Sequence, residues 1–264
     1  MRFLASALAV IVSTGISPAQ DGSYPLLGGT PFRNMTAPSA KGLVTGWSIK
    51  KNARQNILWS ADLGTTTYGG VVVSGGKIFI GTNNERPRDP AVTGDRGALY
   101  CFNAKDGSFL WQALHEKLPE PDKNDWPKQG VASTPVVEGD KLWYVSNRAE
   151  VVCLDVAGTP GSAKAKELWK VDMVKDLGVF PCYLAMCSPL VHGSHLFVVT
   201  GHGVDHESHK VPNPKSPSFI CLDKNSGKVI WKDSSPGENI MEGQWSNPTL
   251  ATVGGASQIV FPGG

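Results

Sequence analysis

Short apolar runs separated by two- or three-residue polar turns recur along most of the chain. Three stretches align without gaps as an apolar run, a polar turn and a second apolar run: "YGGVVVSGGKIFIGTN" (residues 68–83), "ASTPVVEGDKLWYVSN" (132–147) and "MCSPLVHGSHLFVVTG" (186–201). A fourth copy starts at "WSNPTLATVGGASQIVFPGG" (245–264). Apolar runs of strand length joined by tight polar turns predict β-hairpins.

Each of the first three hairpins is followed by an outer hairpin that ends in tryptophan. These outer hairpins read "ALYCFNAKDGSFLW", "EVVCLDVAGTPGSAKAKELW" and "SFICLDKNSGKVIW", and "NILW" ends in the same way. Two hairpins make one four-stranded antiparallel sheet, and repeats of such sheets bury both faces by stacking radially, as in a β-propeller. We expect the closing tryptophans to dock against the adjacent blade; they are Trp59, Trp111, Trp169 and Trp231.

The repeat count predicts an all-β fold, an incomplete β-propeller of four-stranded antiparallel blades over residues 57–264. It comprises one closing strand at "NILW", three full blades and half of a fourth, about 3.5 blades in all. Residues 20–56 are predicted to form an N-terminal extended segment. We expect the "DG" and "SG" turns of the outer hairpins, at Gly107 and Gly227, to need a positive φ.

Residues 1–19 have the features of an export signal. Arg2 precedes the apolar run "FLASALAVIVSTGI", which is too short to span a bilayer, and the small residues Ser17 and Ala19 precede Gln20. A buried helix is the alternative. We predict cleavage before Gln20 and a periplasmic or secreted protein, with no membrane span in the rest of the chain.

Composition narrows the possible partners. A net charge of +2 is too small to favour nucleic acid or an anionic membrane as a partner.

The cysteines fall into two groups. One position of the repeat, on different blades, is occupied by Cys101, Cys153 and Cys221, where we expect buried thiols. Cys182 and Cys187, in "CYLAMC", either close a small disulfide loop or remain free, and the odd total of five leaves one cysteine unpaired.

The units resemble the repeats of the pyrroloquinoline-quinone (PQQ) type β-propeller family. "LYCFNAKDGSFLW" and "FICLDKNSGKVIW" are similar to that family's "LYALDAKTGKxLW", and the resemblance covers residues 57–264. The resemblance implies a propeller fold. The family includes quinoprotein dehydrogenases and outer-membrane assembly scaffolds. Family members close into larger rings, so we expect a truncated product or part of a longer one.

The resemblance also implies what a quinoprotein dehydrogenase would need. That class uses a disulfide between adjacent cysteines, a calcium ion held by Glu, Asn and Asp, and an Asp base, together with PQQ. The sequence has no adjacent cysteine pair and no "CxxCH" haem motif. We therefore assign no catalytic residue, treat PQQ with calcium as implied by resemblance alone, and expect no quinone-dependent activity from this polypeptide by itself.

Five long loops are predicted on one end of the propeller, at residues 83–97, 114–130, 173–185, 201–217 and 234–244. The opposite end has short turns, apart from "AGTPGSAKA". Long loops on a rigid scaffold usually carry binding, so this long-loop face is the expected site for an unknown protein partner or small ligand. The candidate residues are Asn83, Asn84, Arg86, Trp126 and Trp245.

Each candidate has a structural alternative. Arg86 or Arg88 can bind a carboxylate with two parallel hydrogen bonds, or the segment "TNNERPRDP" is a solvated loop stiffened by proline. Trp126 and Trp245 do not occupy the tryptophan position of the repeat, so they either stack on a ligand or pack beneath their own loops.

The segment "GHGVDHESH" contains a cluster of metal-ligand residue types. Its candidate ligands are His202, Asp205, His206 and His209. Their spacing matches no closed zinc signature, so a polar surface loop is the alternative.

The sequence therefore favours an exported propeller that acts as a binding or scaffold module and is not an enzyme. The alternative is a PQQ-dependent oxidoreductase for an alcohol or sugar, completed by further blades. A carbohydrate-active propeller is a third possibility, but no paired carboxylates can be located for it.

Overall fold

A computed structural model describes residues 23–38 and 40–263, so the predicted export signal lies outside the described residues. The strands and helices are β1 (Val72–Ser74), β2 (Lys77–Asn83), β3 (Gly97–Asn103), β4 (Phe109–His115), α1 (Pro121–Asn124), β5 (Val136–Glu138), β6 (Lys141–Val145), β7 (Glu150–Asp155), β8 (Lys166–Asp172), α2 (Met173–Leu177), β9 (Leu190–His192), β10 (His195–Val199), β11 (Phe219–Asp223), β12 (Val229–Asp233), a 3-10 helix (Gly237–Asn239), β13 (Thr249–Val253) and β14 (Ala256–Val260). None of the helices in this part of the chain is long and apolar enough to cross a membrane.

The strands form a series of antiparallel sheets in chain order. Three sheets have four strands each, β1–β4, β5–β8 and β9–β12, and β13 pairs with β14 alone. The predicted three full blades and half of a fourth are therefore confirmed. Gly107 and Gly227, in the outer hairpin turns, both have φ of +73°, which glycine adopts without steric cost.

The strand predicted at residues 57–59 is not formed, and this part of the prediction is corrected. In the described chain no strand pairs with these residues, and a strand requires a hydrogen-bonded neighbour. Trp59 nevertheless docks on the first blade. Its indole Nε1 donates to the carbonyl oxygen of Ala104 at 3.0 Å, and its ring covers Gly107.

The same docking contact recurs at the next blade boundary. Trp111, at the outer strand β4, is buried, donates from Nε1 to the Val156 carbonyl oxygen at 3.3 Å and covers Gly158. A Cβ atom at Gly107 or Gly158 would overlap the indole that covers it. Each outer-hairpin glycine thus provides the flat backbone surface on which the preceding blade's tryptophan rests.

The third boundary uses a variation of this contact. Trp169 covers Gly227, but its Nε1 has no hydrogen-bond partner among the described residues. The equivalent carbonyl oxygen, that of Lys224, accepts instead from Trp143 Nε1 at 2.9 Å. Trp231 is 39% exposed and contacts Phe261 with ring centroids 5.9 Å apart.

Side chains at one position of the repeat join the blades near the start of their first strands. The Gly70 amide donates to Thr134 Oγ1 at 2.7 Å, and the Thr134 amide donates to Ser188 Oγ at 3.0 Å. The Ser188 amide donates to Asn247 Oδ1 at 2.5 Å. One equivalent residue per repeat therefore satisfies a backbone donor of the preceding blade.

The N-terminal segment 23–33, which we call the strap, lies along the first strands of all four sheets. Its hydrogen bonds join Tyr24 to Val73 of β1, Pro25 to Val137 of β5, Arg33 to Ser188 and Pro189 before β9, and Pro31 to Leu250 of β13. The first strand of a blade has no neighbour on its other side, so the strap pairs with backbone groups that the sheets leave free.

The long hairpin loop "AGTPGSAKA" covers the outer edge of the preceding blade. The amide of Gln112 in β4 donates to the Ala163 carbonyl oxygen at 3.0 Å, and the Ala165 amide donates back to the Gln112 carbonyl oxygen at 2.8 Å. This exception among the short turns thus protects an edge strand.

The repeat cysteines lie in the core, opposite the repeat tryptophans. They are Cys101, Cys153 and Cys221, paired across the strands with Trp111, Trp169 and Trp231 respectively. All three are buried and free. Burial raises the pKa of the Cys101 and Cys153 thiols to about 12 and that of Cys221 to about 11, so these thiols are unreactive at neutral pH.

Candidate functional site

An aromatic cluster lies where four of the long loops meet. Tyr183 is the shared ring: its centroid is 3.9 Å from that of His206 and 4.9 Å from that of Trp126, with interplanar angles of 15° and 24°. Trp245 is nearly parallel to Tyr183 at 6.3 Å. The two tryptophans that the sequence singled out as candidates are therefore brought to one place on the long-loop face.

Backbone hydrogen bonds between the loops hold this cluster in position. The Trp126 amide donates to the Tyr183 carbonyl oxygen at 2.8 Å, and the Tyr183 amide donates to the Lys123 carbonyl oxygen at 3.0 Å. Trp245 Nε1 donates to the Cys182 carbonyl oxygen at 2.9 Å. The indole of Trp245 lies over Gly243, where a Cβ atom would overlap it.

The cluster is accessible at the Trp126 end. Trp126 is 51% exposed, whereas Tyr183, His206 and Trp245 are half-buried. Tyr183 has a φ of +57°, a conformation that costs a bulky residue about 1–2 kcal/mol. Strain of this kind often accompanies binding sites. Trp126 therefore presents an indole surface whose underside is fixed by a stacked ring.

Charged side chains border the cluster. Lys123 Nζ lies 2.8 Å from Glu207 Oε2 and 3.2 Å from Glu120 Oε2, and these hydrogen bonds raise the pKa of the Lys123 ammonium. Glu242 is exposed on the loop that carries Trp245. Burial and then the charge of Glu242 raise the pKa of the Cys182 thiol to about 11.

Asn83 and Asn84, two of the other candidates, are buried and form hydrogen bonds to nearby loop residues. Asn83 Oδ1 accepts from the Thr65 amide at 2.9 Å, and its Nδ2 donates to Thr65 Oγ1 at 2.9 Å. Asn84 Nδ2 donates to the Val92 carbonyl oxygen at 2.8 Å. Neither side chain joins the aromatic cluster.

The two arginine candidates lie in the loop of residues 83–97. Arg86 is exposed. The Arg88 guanidinium lies over three rings, those of Tyr100, Phe102 and Phe109, at 5.3–5.6 Å from their centroids. Arg88 also donates from Nη2 to the Asp62 carbonyl oxygen. Its contacts attach the loop to the first blade.

The structure does not bring the candidate metal ligands together. His202 is buried with both ring nitrogens within hydrogen-bond distance of backbone groups, Nδ1 3.0 Å from the Phe180 amide and Nε2 2.9 Å from the Asn213 carbonyl oxygen. Asp205 and His209 belong to an exposed turn, and His206 is part of the aromatic cluster. In the described ranges, no three His, Cys, Asp or Glu side chains are placed to hold a metal ion.

Cys182 and Cys187 are not bonded to one another, so the disulfide alternative is not adopted. Each sulfur has a different partner. Cys182 Sγ lies 3.2 Å from His206 Nε2, and Cys187 Sγ accepts from the Val199 amide at 3.2 Å.

A buried ionisable network that the sequence did not indicate joins the first two blades. His115 of β4 has its Nδ1 3.3 Å from Glu150 Oε2 and its Nε2 2.6 Å from the Tyr144 hydroxyl. Lys170 Nζ lies 3.2 Å from Glu150 Oε1. Burial opposes ionisation of Glu150, but the hydrogen bond and charge of His115, together with Lys170, lower its pKa to about 2.

This network predicts a pH-dependent stability. Because the folded-state pKa of Glu150 is depressed, its contribution is present above the ordinary value of 4.5 and is lost as the pH falls toward about 2. Glu150→Gln should therefore lower the free energy of unfolding at neutral pH and flatten its decline across this acidic range. Denaturant unfolding at a series of pH values measures the free energy of unfolding, with the exposed Glu238→Gln variant as control. If the free energy of Glu150→Gln falls with decreasing pH as steeply as that of the unmodified protein, the role of Glu150 is contradicted.

One known family matches part of the chain. Residues 48–118 match the sequence profile of the family described as "Outer membrane protein assembly factor BamB". No curated protein sequence matches the chain significantly. The matched part contains the whole first blade, β1–β4, and the repeats are similar to those of PQQ-type β-propeller proteins.

Three solved structures are similar to the chain. BamB from Moraxella catarrhalis is 16% identical over 70% of the chain, with a TM-score of 0.42. A europium-containing methanol dehydrogenase is 15% identical over 80% (TM-score 0.49), and the quinohemoprotein alcohol dehydrogenase of Comamonas testosteroni is 12% identical over 92% (TM-score 0.46). The chain spans 44%, 31% and 46%, respectively, of the lengths of these structures.

PQQ with calcium is implied by the family resemblance alone. In the part of the chain that the structure describes, no three His, Cys, Asp or Glu side chains are placed to hold a metal ion. The five cysteines are all free, so they provide no disulfide against which a quinone could stack. We therefore derive no chemical step through this cofactor.

Proposed function

We propose that the protein is an exported binding module that holds a ligand or a partner protein on the long-loop face. The observation that supports this best is the aromatic cluster, in which Trp126 is half exposed and lies on the stacked ring of Tyr183. A buried aromatic cluster would serve only packing. This one ends at the surface, at a position fixed by hydrogen bonds between loops of different blades.

The type of interaction follows from the chemistry of the exposed ring. An indole contributes a large apolar area and loses little conformational entropy on binding, which is why tryptophan is enriched at interaction hot spots. Because the ring is already stacked on Tyr183, binding would require little further ordering. The predicted export signal supports a role in the periplasm or outside the cell.

Photo-cross-linking from the long-loop face tests this function. The probe p-benzoylphenylalanine is placed at Met241, which is exposed on the loop that carries Trp245, and the exported protein is irradiated in its native cells. Mass spectrometry of the labelled chain should find a defined adduct, small or large. Adding Trp126→Ala should reduce that adduct at least several-fold, since it removes the exposed ring.

The control carries the same probe at Trp47, an exposed residue outside the five long loops. An adduct that is equal at both positions, or that survives Trp126→Ala, would count against the proposed function. Stoichiometric binding of PQQ with calcium, followed by alcohol- or sugar-dependent dye reduction, would replace the binding-module function with the oxidoreductase alternative.

A further inference from the structure

We infer that the aromatic cluster binds an arginine side chain of a partner polypeptide, with the guanidinium stacked on Trp126. This inference rests on the proposed function and gives that site a partner of stated chemistry. It depends on the open face of one indole, on the charges that surround it and on a matching arrangement elsewhere in the same chain.

The open indole face is the first element. Trp126 stacks with Tyr183 and is still 51% exposed, so part of its π surface faces solvent. The face of an indole is electron-rich and attracts cations within about 6 Å of its centroid.

The surrounding charge is the second element. Three glutamates are exposed on loops that carry the cluster: Glu120, Glu207 and Glu242. Lys123 forms ion pairs with Glu120 and Glu207. Lys117 Nζ, 2.9 Å from the Trp126 carbonyl oxygen, is paired with the buried carboxylate of Asp125 at 2.5 Å. With Lys128 paired to Glu85 at 3.6 Å, carboxylates outnumber the ammonium groups among these side chains, which favours a cationic ligand.

The arrangement of Arg88 is the third element. Its guanidinium lies 5.3 Å from the centroid of Phe109 and 5.6 Å from that of Tyr100, over rings of β4 and β3. This chain thus already uses a guanidinium on aromatic rings to attach a loop. A guanidinium also stacks flat on a ring and binds a carboxylate with two parallel bonds, whereas an ammonium does neither.

A peptide pair tests the inference. A short capped peptide with two arginines is titrated into the full chain, and the NMR signal of the Trp126 indole is followed. The matched peptide replaces each arginine with citrulline, which keeps the shape and removes the charge. We expect the citrulline peptide to bind about 2- to 5-fold more weakly, as one cation–π contact at an exposed site implies.

Two variants assign the effect to the cluster. Trp126→Ala should abolish the arginine preference, and Glu242→Gln should reduce it, while Trp47→Ala should leave it unchanged. Equal binding of the two peptides, no binding at millimolar concentration, or an arginine preference that survives Trp126→Ala would each overturn the inference. A Trp126-dependent cross-link from Met241 would still support the proposed function in those cases, so the two failures are distinguishable.

Discussion

Replacing Trp111 with alanine is expected to lower the free energy of unfolding by about 3–5 kcal/mol. The indole is buried between the first two blades, covers Gly158 and donates a hydrogen bond to Val156. Its removal leaves a cavity at a blade boundary and an unpaired carbonyl oxygen. Urea denaturation followed by far-ultraviolet circular dichroism measures the loss.

Two other tryptophans provide the comparison. Trp47→Ala, at an exposed position, should change the free energy of unfolding by less than about 0.5 kcal/mol. Trp231 occupies the same repeat position as Trp111 but is 39% exposed, so Trp231→Ala should cost about 1 kcal/mol. A loss below about 1 kcal/mol in Trp111→Ala would show that docking of the tryptophan does not hold the blades together.

Substitution of Gly158, which lies beneath the Trp111 indole, should destabilise the fold nearly as much as removal of that indole. Gly158→Ala is expected to cost about 2–4 kcal/mol, since the new Cβ adds left-handed backbone strain and overlaps the Trp111 ring. Gly161→Ala is the matched control, because Gly161 also has a positive φ but has open space where its Cβ would lie.

The difference between the two glycine variants isolates the contact with the ring. Gly161→Ala should cost only about 1–2 kcal/mol, the strain of the left-handed conformation alone. The two variants can be compared by their urea midpoints at equal slopes. Equal losses would mean that the Trp111 ring moves away without cost and that the close approach is not required.

The repeat explains why so much of the fold was predictable. The spacing of Gly107 and Trp111 recurs at Gly227 and Trp231, and each recurrence is an independent observation of the same blade. The strap had no such signal. Its contacts with Val73 and Val137 are made by the backbone, and backbone pairing leaves no characteristic side chains in the sequence.

The candidate site was predictable only in part. Trp126 and Trp245 stood out because they break the tryptophan pattern, but Tyr183, which joins them, lies between two cysteines that drew attention to a disulfide instead. Its role depends on the convergence of loops from different blades, which spacing along the chain does not reveal. Asn83 has a related ambiguity, since a polar side chain at the end of a strand can hydrogen-bond to loop backbone, as it does here, or bind a ligand.

The strap has a consequence for the order of folding. Each blade is assembled from contacts close in sequence, whereas the pairing of Pro31 with Thr249 joins residues 218 positions apart. Long-range contacts of this kind form late, because the loop they close is costly in entropy until the intervening blades have formed. The first described segment of the chain is thus expected to be among the last to reach its place, when synthesis of the fourth sheet is already complete.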